Sequence, residues 1–332
     1  MNVTLFIGNG FDINFGLNTG YRDFLAWYLE QPSSNPIIGS FKKMIDKDIE
    51  TWSDLEKALG EQTNYEPLND PNNFIKCKEN LDINLYHYLK KQQRSIEDCI
   101  TSEAISLFSM QLDGLFNYFS PSAVVKTCKE SMYDSEINVI TFNYTEIFDR
   151  FWENAEPGIA LRGKLIHVHG TLEHDMIVGV NDISQIANAN CNTDQRIIDM
   201  CVKPHMNDYC DPEKVLAVEE IISNTDIFIV FGMSIGITDK IWWEKVIQQV
   251  LNNSNGHIFI VNYHPLYRPA LPYHKHYKTD FMNNMLHFMD LDKEKRKQLL
   301  SKISIELNTE LFNLSEYLIT TALHTFENYH AI

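Results

Sequence analysis

VTLFIGNGFDINFGLNTGYRDF, residues 3–24, reads as a strand running into a glycine turn and then a helix. Residues 3–7 are apolar but for Thr4, the pattern of a strand covered on both faces, as in a parallel α/β sheet. Gly8-Asn9-Gly10 follows at once. Glycine permits positive φ and lets a ligand touch the backbone. A helix opening there would offer free N–H groups and partial positive charge to a phosphate. Strand, glycine turn and helix in that order form the context of a dinucleotide site. Two features depart from the usual pattern: its third glycine is missing, and Asp12 stands where an anionic ligand needs positive charge. Asp12 is placed to cap the helix itself, in competition with an anion. Taken alone, the stretch reads equally well as a tight turn without a ligand.

Working outward, five further runs rich in β-branched and aromatic residues predict strands at 138–142, 164–168, 176–180, 227–231 and 257–262. The first strand and those at 138–142, 227–231 and 257–262 are almost continuously apolar, and helical patterns lie between most of them. Thr238-Asp239 offers a cap for a helix over residues 240–251. Residues 21–136 carry helical spacing, as in LDINLYHYLKK, with no convincing strand. Residues 292–329 read as one or two further helices. The expected fold is therefore α/β: a Rossmann-like parallel sheet with a large helical insertion and C-terminal helices. The core takes residues 1–20 plus 137–291, the insertion 21–136, and the C-terminal helices 292–332.

Bulk properties narrow the function. The 332 residues are 44% hydrophobic, enough for a sizeable core. The formal charge of -17 disfavours a nucleic-acid partner and repels an anionic cofactor at long range, so a phosphate would have to rely on close backbone N–H groups. The six cysteines, Cys77, Cys99, Cys128, Cys191, Cys201 and Cys210, form no CxxC pair and read as reduced thiols. No charged n-region precedes an apolar h-region, and the longest apolar run, 227–237, is about half the ~20 residues of a membrane span. The expectation is a cytoplasmic chain that neither enters a membrane nor binds a metal. Cys201 and His205 with Cys210 fit no standard zinc spacing, and neither do His274 and His276.

Chemistry-bearing residues gather where strands end. In VITFNYTEIFDR, Asn143 and Thr145 follow a buried strand, and Asn143 carries both a donor and an acceptor suited to a ribose hydroxyl or a water. A simple helix cap is the other reading of either residue. In LIHVHGTL, strand alternation puts His167 and His169 on one face, and histidine is suited to proton transfer near neutral pH. The pair could equally be hydrogen-bonded structural histidines. IFIVFGMSIGITD brings Gly232 and Ser234 and then Asp239 after a third strand, and Asn262 stands at the end of a fourth. Open α/β sheets bind ligands at the carboxyl ends of their strands, so the recurrence predicts a shared crevice.

Together, IGNGFDINFGLNTGYRDF, WSDLEKAL, ITFNYT, HVHG and GMSIGITD resemble the AbiH family of phage abortive-infection proteins, across residues 5–239. That family in turn resembles sirtuin-like nucleotide-binding domains, including defence enzymes that destroy NAD. The resemblance implies that Gly8 and Gly10 hold a pyrophosphate, with Asn9 and Asp12 in the same ligand-binding turn. It implies that Asn143 contacts the ribose or a water, that His169 is the catalytic histidine, and that Gly232 and Ser234 border the nucleotide. Thr145, His167, Asp239 and Asn262 complete the expected cleft, with Asp12 or Asp239 placed to stabilise positive charge on the sugar. The zinc-binding CxxC module of the deacylases is absent, which argues against deacylation. The expected activity is hydrolysis of NAD, or a related nucleotide, at the N-glycosidic bond. The expected partners are the nucleotide and a phage-derived trigger, with a homo-oligomer left open. The alternatives are a non-catalytic nucleotide sensor or scaffold, and a nuclease or phosphoesterase.

Overall fold

The computed structural model describes residues 1–287 and 289–318. Six parallel strands form one open sheet: β1 (Asn2–Ile7), β2 (Glu136–Thr141), β3 (Leu161–His167), β4 (Ile227–Phe231), β5 (His257–Asn262) and β6 (Ile303–Leu307). Their order is β3-β2-β1-β4-β5-β6, the Rossmann-like order in which the chain works outward in one direction from β1 and then in the other from β4. Register keeps the carboxyl ends level: Ile7 stands beside both Thr141 and Phe231, Thr141 beside His167, and Phe231 beside Val261.

Alternation divides β1 between two cores. Val3, Leu5 and Ile7 join Val139, Ile229 and Phe259 under the helices Ser102–Asp113, Ala123–Ser131 and Ile147–Asn154. Phe6 faces the opposite layer with Ile140, Phe228 and Val230, beneath Pro212–Asn224 and Lys240–Asn252. The Phe6 ring lies 5.6 Å from Phe142, 5.8 Å from Phe228 and 5.6 Å from Trp243. The four most continuously apolar runs are the four interior strands, as burial on both faces requires.

Two expectations are corrected, the strand at 176–180 and the wholly helical C-terminal region. Residues 176–180 form no strand of the sheet. Val180 makes only an isolated bridge to Val202, and Val178 and Val180 pack instead into a third core built on the insertion. Residues 21–136 are helical but serve two cores. Helices Tyr21–Glu30, Pro36–Lys47, Leu55–Glu61 and Pro71–Glu97 surround the third core, whereas Ser102–Asp113 and Ala123–Ser131 cover the sheet. The C-terminal region is not only helical. Helix Lys293–Leu300 leads into β6, whose ISIEL alternates buried and half-buried positions as an edge strand does. Residues 319–332, the rest of the expected C-terminal helices, lie outside the described residues. No helix among the described residues is long and apolar enough to cross a membrane.

Candidate functional site

A cleft of about 1060 Å³ opens over the carboxyl ends of β1, β2, β4 and β5, at the point where strand order reverses and open α/β sheets take their ligands. Gly8, Asn9, Gly10, Asp12, Asn143, Thr145, His169, Gly232, Ser234, Asp239 and Asn262 all line it. His167 does not. Its Nδ1 lies 2.9 Å from the Asn143 carbonyl oxygen, and its Nε2 lies 2.9 Å from Asp149 Oδ1, so it braces the end of β2 from behind. Burial pulls the His167 pKa down, but the hydrogen bond and charge of Asp149 outweigh it, and the net shift is upward.

The glycine turn is built by backbone contact. A Cβ on Gly10 would stand 2.4 Å from Gly232 Cα, and one on Gly8 would stand 2.7 Å from Met233 Cα. The turns after β1 and β4 therefore touch, and the Gly10 N–H donates to the Gly232 carbonyl at 2.6 Å rather than standing free. Gly232 takes φ +60 to allow the approach. The helix that follows, Gly10–Asn14, has only five residues. Asp12 does not cap it. Its carboxylate accepts from Asn143 Nδ2 at 3.1 Å and from the Thr145 hydroxyl, linking the ends of β1 and β2. Asp12 is almost wholly buried, and burial pushes its pKa up to about 7 against those two hydrogen bonds.

A second polar cluster lies across the cleft. His169 follows β3, and the chain then reverses at Gly170, where φ is +72 and a Cβ would fall 1.9 Å from the Asp175 carbonyl oxygen. His169 Nε2 is 2.8 Å from Asp239 Oδ1, while its buried Nδ1 has no partner. Asp239 was expected to cap the helix Lys240–Asn252 but makes no cap hydrogen bond. Asn181 Oδ1 accepts from the Ile241 N–H at 3.1 Å instead, which leaves the Asp239 carboxylate for His169 and Lys203. Lys203 Nζ donates to Asp239 Oδ1 at 2.8 Å and to Glu56 Oε2 at 2.7 Å. Tyr144 hydroxyl donates to the Ile177 carbonyl at 2.9 Å and stands 3.3 Å from Glu56 Oε1.

The charges explain one another. A lysine at the start of the helix Lys203–Cys210 opposes the helix dipole. Burial works against its ammonium too, but Asp239 and Glu56 outweigh burial and hold the lysine above its ordinary range. Asp239 is likewise penalised by burial, yet Lys203 and His169 keep it well below the usual carboxylate range. Burial and then Lys203 push His169 down, with Asp239 opposing. Among the described lining residues, Asp12, Asp54, Glu56 and Asp239 face Lys203 as the lone lysine or arginine, and that ammonium is already engaged. Among the described residues no group of three or more His, Cys, Asp or Glu is placed to hold a metal.

Sequence reasoning missed Glu56, Lys203 and Tyr144. Glu56 sits inside WSDLEKAL next to the apolar stripe of its helix, where a buried acid needs a partner. Nothing local marks Lys203 in CVKPH.

Residues 4–261 match the protein family described as bacteriophage abortive infection AbiH. No curated protein matches the chain. The matched span runs from within β1 to within β5 and contains both polar clusters of the cleft. The chain belongs to the AbiH family, and its biological setting is phage abortive-infection defence.

Proposed function

We propose that the cleft binds NAD or a related nucleotide and hydrolyses its N-glycosidic bond, and that the α/β core is a sirtuin-like nucleotide-binding domain. One observation carries the reading. The ends of β1, β2 and β4 and the turn after β3 meet in a single crevice at the switch point, with a hydrogen-bonded His169–Asp239 pair inside it. A cleft of about 1060 Å³ is roomy enough for a dinucleotide.

In NAD the bond from ribose C1′ runs to a cationic ring nitrogen. As it breaks, its electron pair goes to that nitrogen, nicotinamide leaves neutral, and the sugar takes on oxocarbenium-like charge. Water adds to C1′ and gives its proton to His169, yielding nicotinamide and ADP-ribose. Asn143 orients the water and the ribose. The carboxylate of Asp239, or that of Asp12 once it has lost its proton, stabilises the positive sugar, a demand that suits an acidic cleft. The pyrophosphate then depends on backbone N–H groups and neutral side chains such as Ser234, since Lys203 is held by two carboxylates.

The test is release of nicotinamide from NAD by the purified chain, with and without lysate of phage-infected cells as a source of trigger. The wild type is expected to turn over, and His169→Ala to lose about 10²–10⁴-fold, the usual contribution of a general base. Asn143→Ala should also fall. Silence of the wild type under both conditions refutes the enzymatic reading. A second reading, a nucleotide sensor without turnover, is favoured by the burial of His169 Nδ1 and the engagement of the Gly10 N–H. Calorimetric binding of NAD or ADP-ribose without product would support it.

A further inference from the structure

We infer that Lys203 is a positioning residue that fixes the tautomer of His169, and that the helical insertion holds Lys203 in place through Glu56. The role assigned to His169 rests on the hydrolase reading; the tautomer itself does not.

Three groups meet at Lys203 Nζ: Glu56 Oε2 at 2.7 Å, Asp239 Oδ1 at 2.8 Å and His169 Nε2 at 3.4 Å. They come from different parts of the chain. Glu56 lies in the insertion helix Leu55–Glu61, Asp239 in the turn after β4, and His169 just past β3. Lys203 opens the helix Lys203–Cys210, and its own N–H donates to the Val180 carbonyl at 2.9 Å. The ammonium can only donate, and with two carboxylates against it, it stays charged. Its charge keeps Asp239 ionised. An ionised Asp239 can only accept, so at 2.8 Å from Nε2 it requires the proton there. The opposite tautomer would set a lone pair against a carboxylate at that distance and leave an Nδ1–H donor buried without an acceptor. Its possible gain, a contact from Lys203 at 3.4 Å, is at the limit of hydrogen bonding. Nδ1 therefore keeps its lone pair. Imidazolium is opposed as well, first by burial and then because a second cation would lie beside the ammonium, with Asp239 and Glu56 the opposing charges.

The experiment is nitrogen NMR of the full chain carrying ¹⁵N-labelled histidine, titrated without nucleotide, with the His169 signal assigned by its loss in His169→Ala. In the wild type, Nε2 is expected to be protonated and Nδ1 bare at neutral pH, with protonation only below the ordinary imidazole range. Lys203→Met should raise the proton affinity of His169 at least tenfold, and Lys203→Arg should restore the wild-type titration. The ammonium protons of Lys203 should exchange at least tenfold faster in Glu56→Gln than in the wild type. A wild-type His169 protonated on Nδ1 overturns the inference whether or not Lys203→Met folds. So does a Lys203→Met titration that matches the wild type. Failure of nicotinamide release would refute the hydrolase and leave these signals unchanged.

Discussion

Replacing Gly10 with alanine should destabilise the chain with no ligand present. The new Cβ would lie 2.4 Å from Gly232 Cα, 2.7 Å from its carbonyl oxygen and 2.9 Å from its carbonyl carbon. All three are backbone atoms, so no side chain can swing away. Relief requires the turns after β1 and β4 to part, and parting stretches the 2.6 Å bond from the Gly10 N–H to the Gly232 carbonyl. Overpacking of this kind costs about 1–3 kcal/mol, and a weakened hydrogen bond adds about 0.5–1.5 kcal/mol. The loss should therefore be about 1.5–4.5 kcal/mol. Gly39, inside the helix Pro36–Lys47, supplies the opposite case: nothing lies within 4 Å of its added Cβ. Gly39→Ala should gain up to about 1 kcal/mol from helix propensity. Urea unfolding followed by tryptophan fluorescence measures both. If Gly10→Ala unfolds with the wild type while Gly39→Ala gains as expected, backbone contact is not what requires the glycine. Its conservation of space would then have to serve a ligand.

Three more outcomes follow from the same geometry. The Asp12 carboxyl, pushed up to about 7 by burial, titrates from 3.8 when unfolded, so the folded chain holds the extra proton between those values. Its contribution is complete below the lower value and is lost as pH rises through the upper one, a fall of about 4 kcal/mol. Asp12→Asn should flatten that fall, and urea midpoints at about pH 5 and about pH 8 should show the variant gaining on the wild type at the higher pH. The raised His167 contributes in the same direction: stability is present below the ordinary imidazole value of 6.5 and lost as pH rises through the folded one. Asp149→Asn should lower the His167 titration midpoint in a histidine NMR titration. Phe6→Ala should cost about 3–5 kcal/mol, read as a lower unfolding midpoint, because the ring is fully buried at the centre of the sheet.

The interior of the sheet was legible for a simple reason. A strand with helices on both faces must be apolar at nearly every position, and residues 3–7, 138–142, 227–231 and 257–262 carry only Thr4, Asn138, Thr141, His257 and Asn262 as polar residues. The edges obey a weaker rule. β3 has exposed positions along its length, and β6 carries only the short alternation ISIEL directly after the helix Lys293–Leu300. Residues 176–180 misled because an apolar run states that a segment is buried, not against what. Val180 found its burial in the insertion core. The glycines of the β1 turn were read as room for a ligand, whereas their immediate neighbour is the backbone of Gly232 and Met233.

Local pattern was enough to bring Asn143, His169, Gly232 and Asp239 to one side of the molecule. Parallel strands in register place all their carboxyl ends on the same edge, so residues that follow a strand share a rim wherever they lie in the chain. Which groups those residues bond to was settled only by tertiary packing. Lys203 is 147 residues from Glu56 and 36 from Asp239, and His169 is 70 from Asp239. No periodicity or capping signal spans such separations. A buried ammonium is stable only beside its carboxylates, and only the docking of the insertion on the core brings them together.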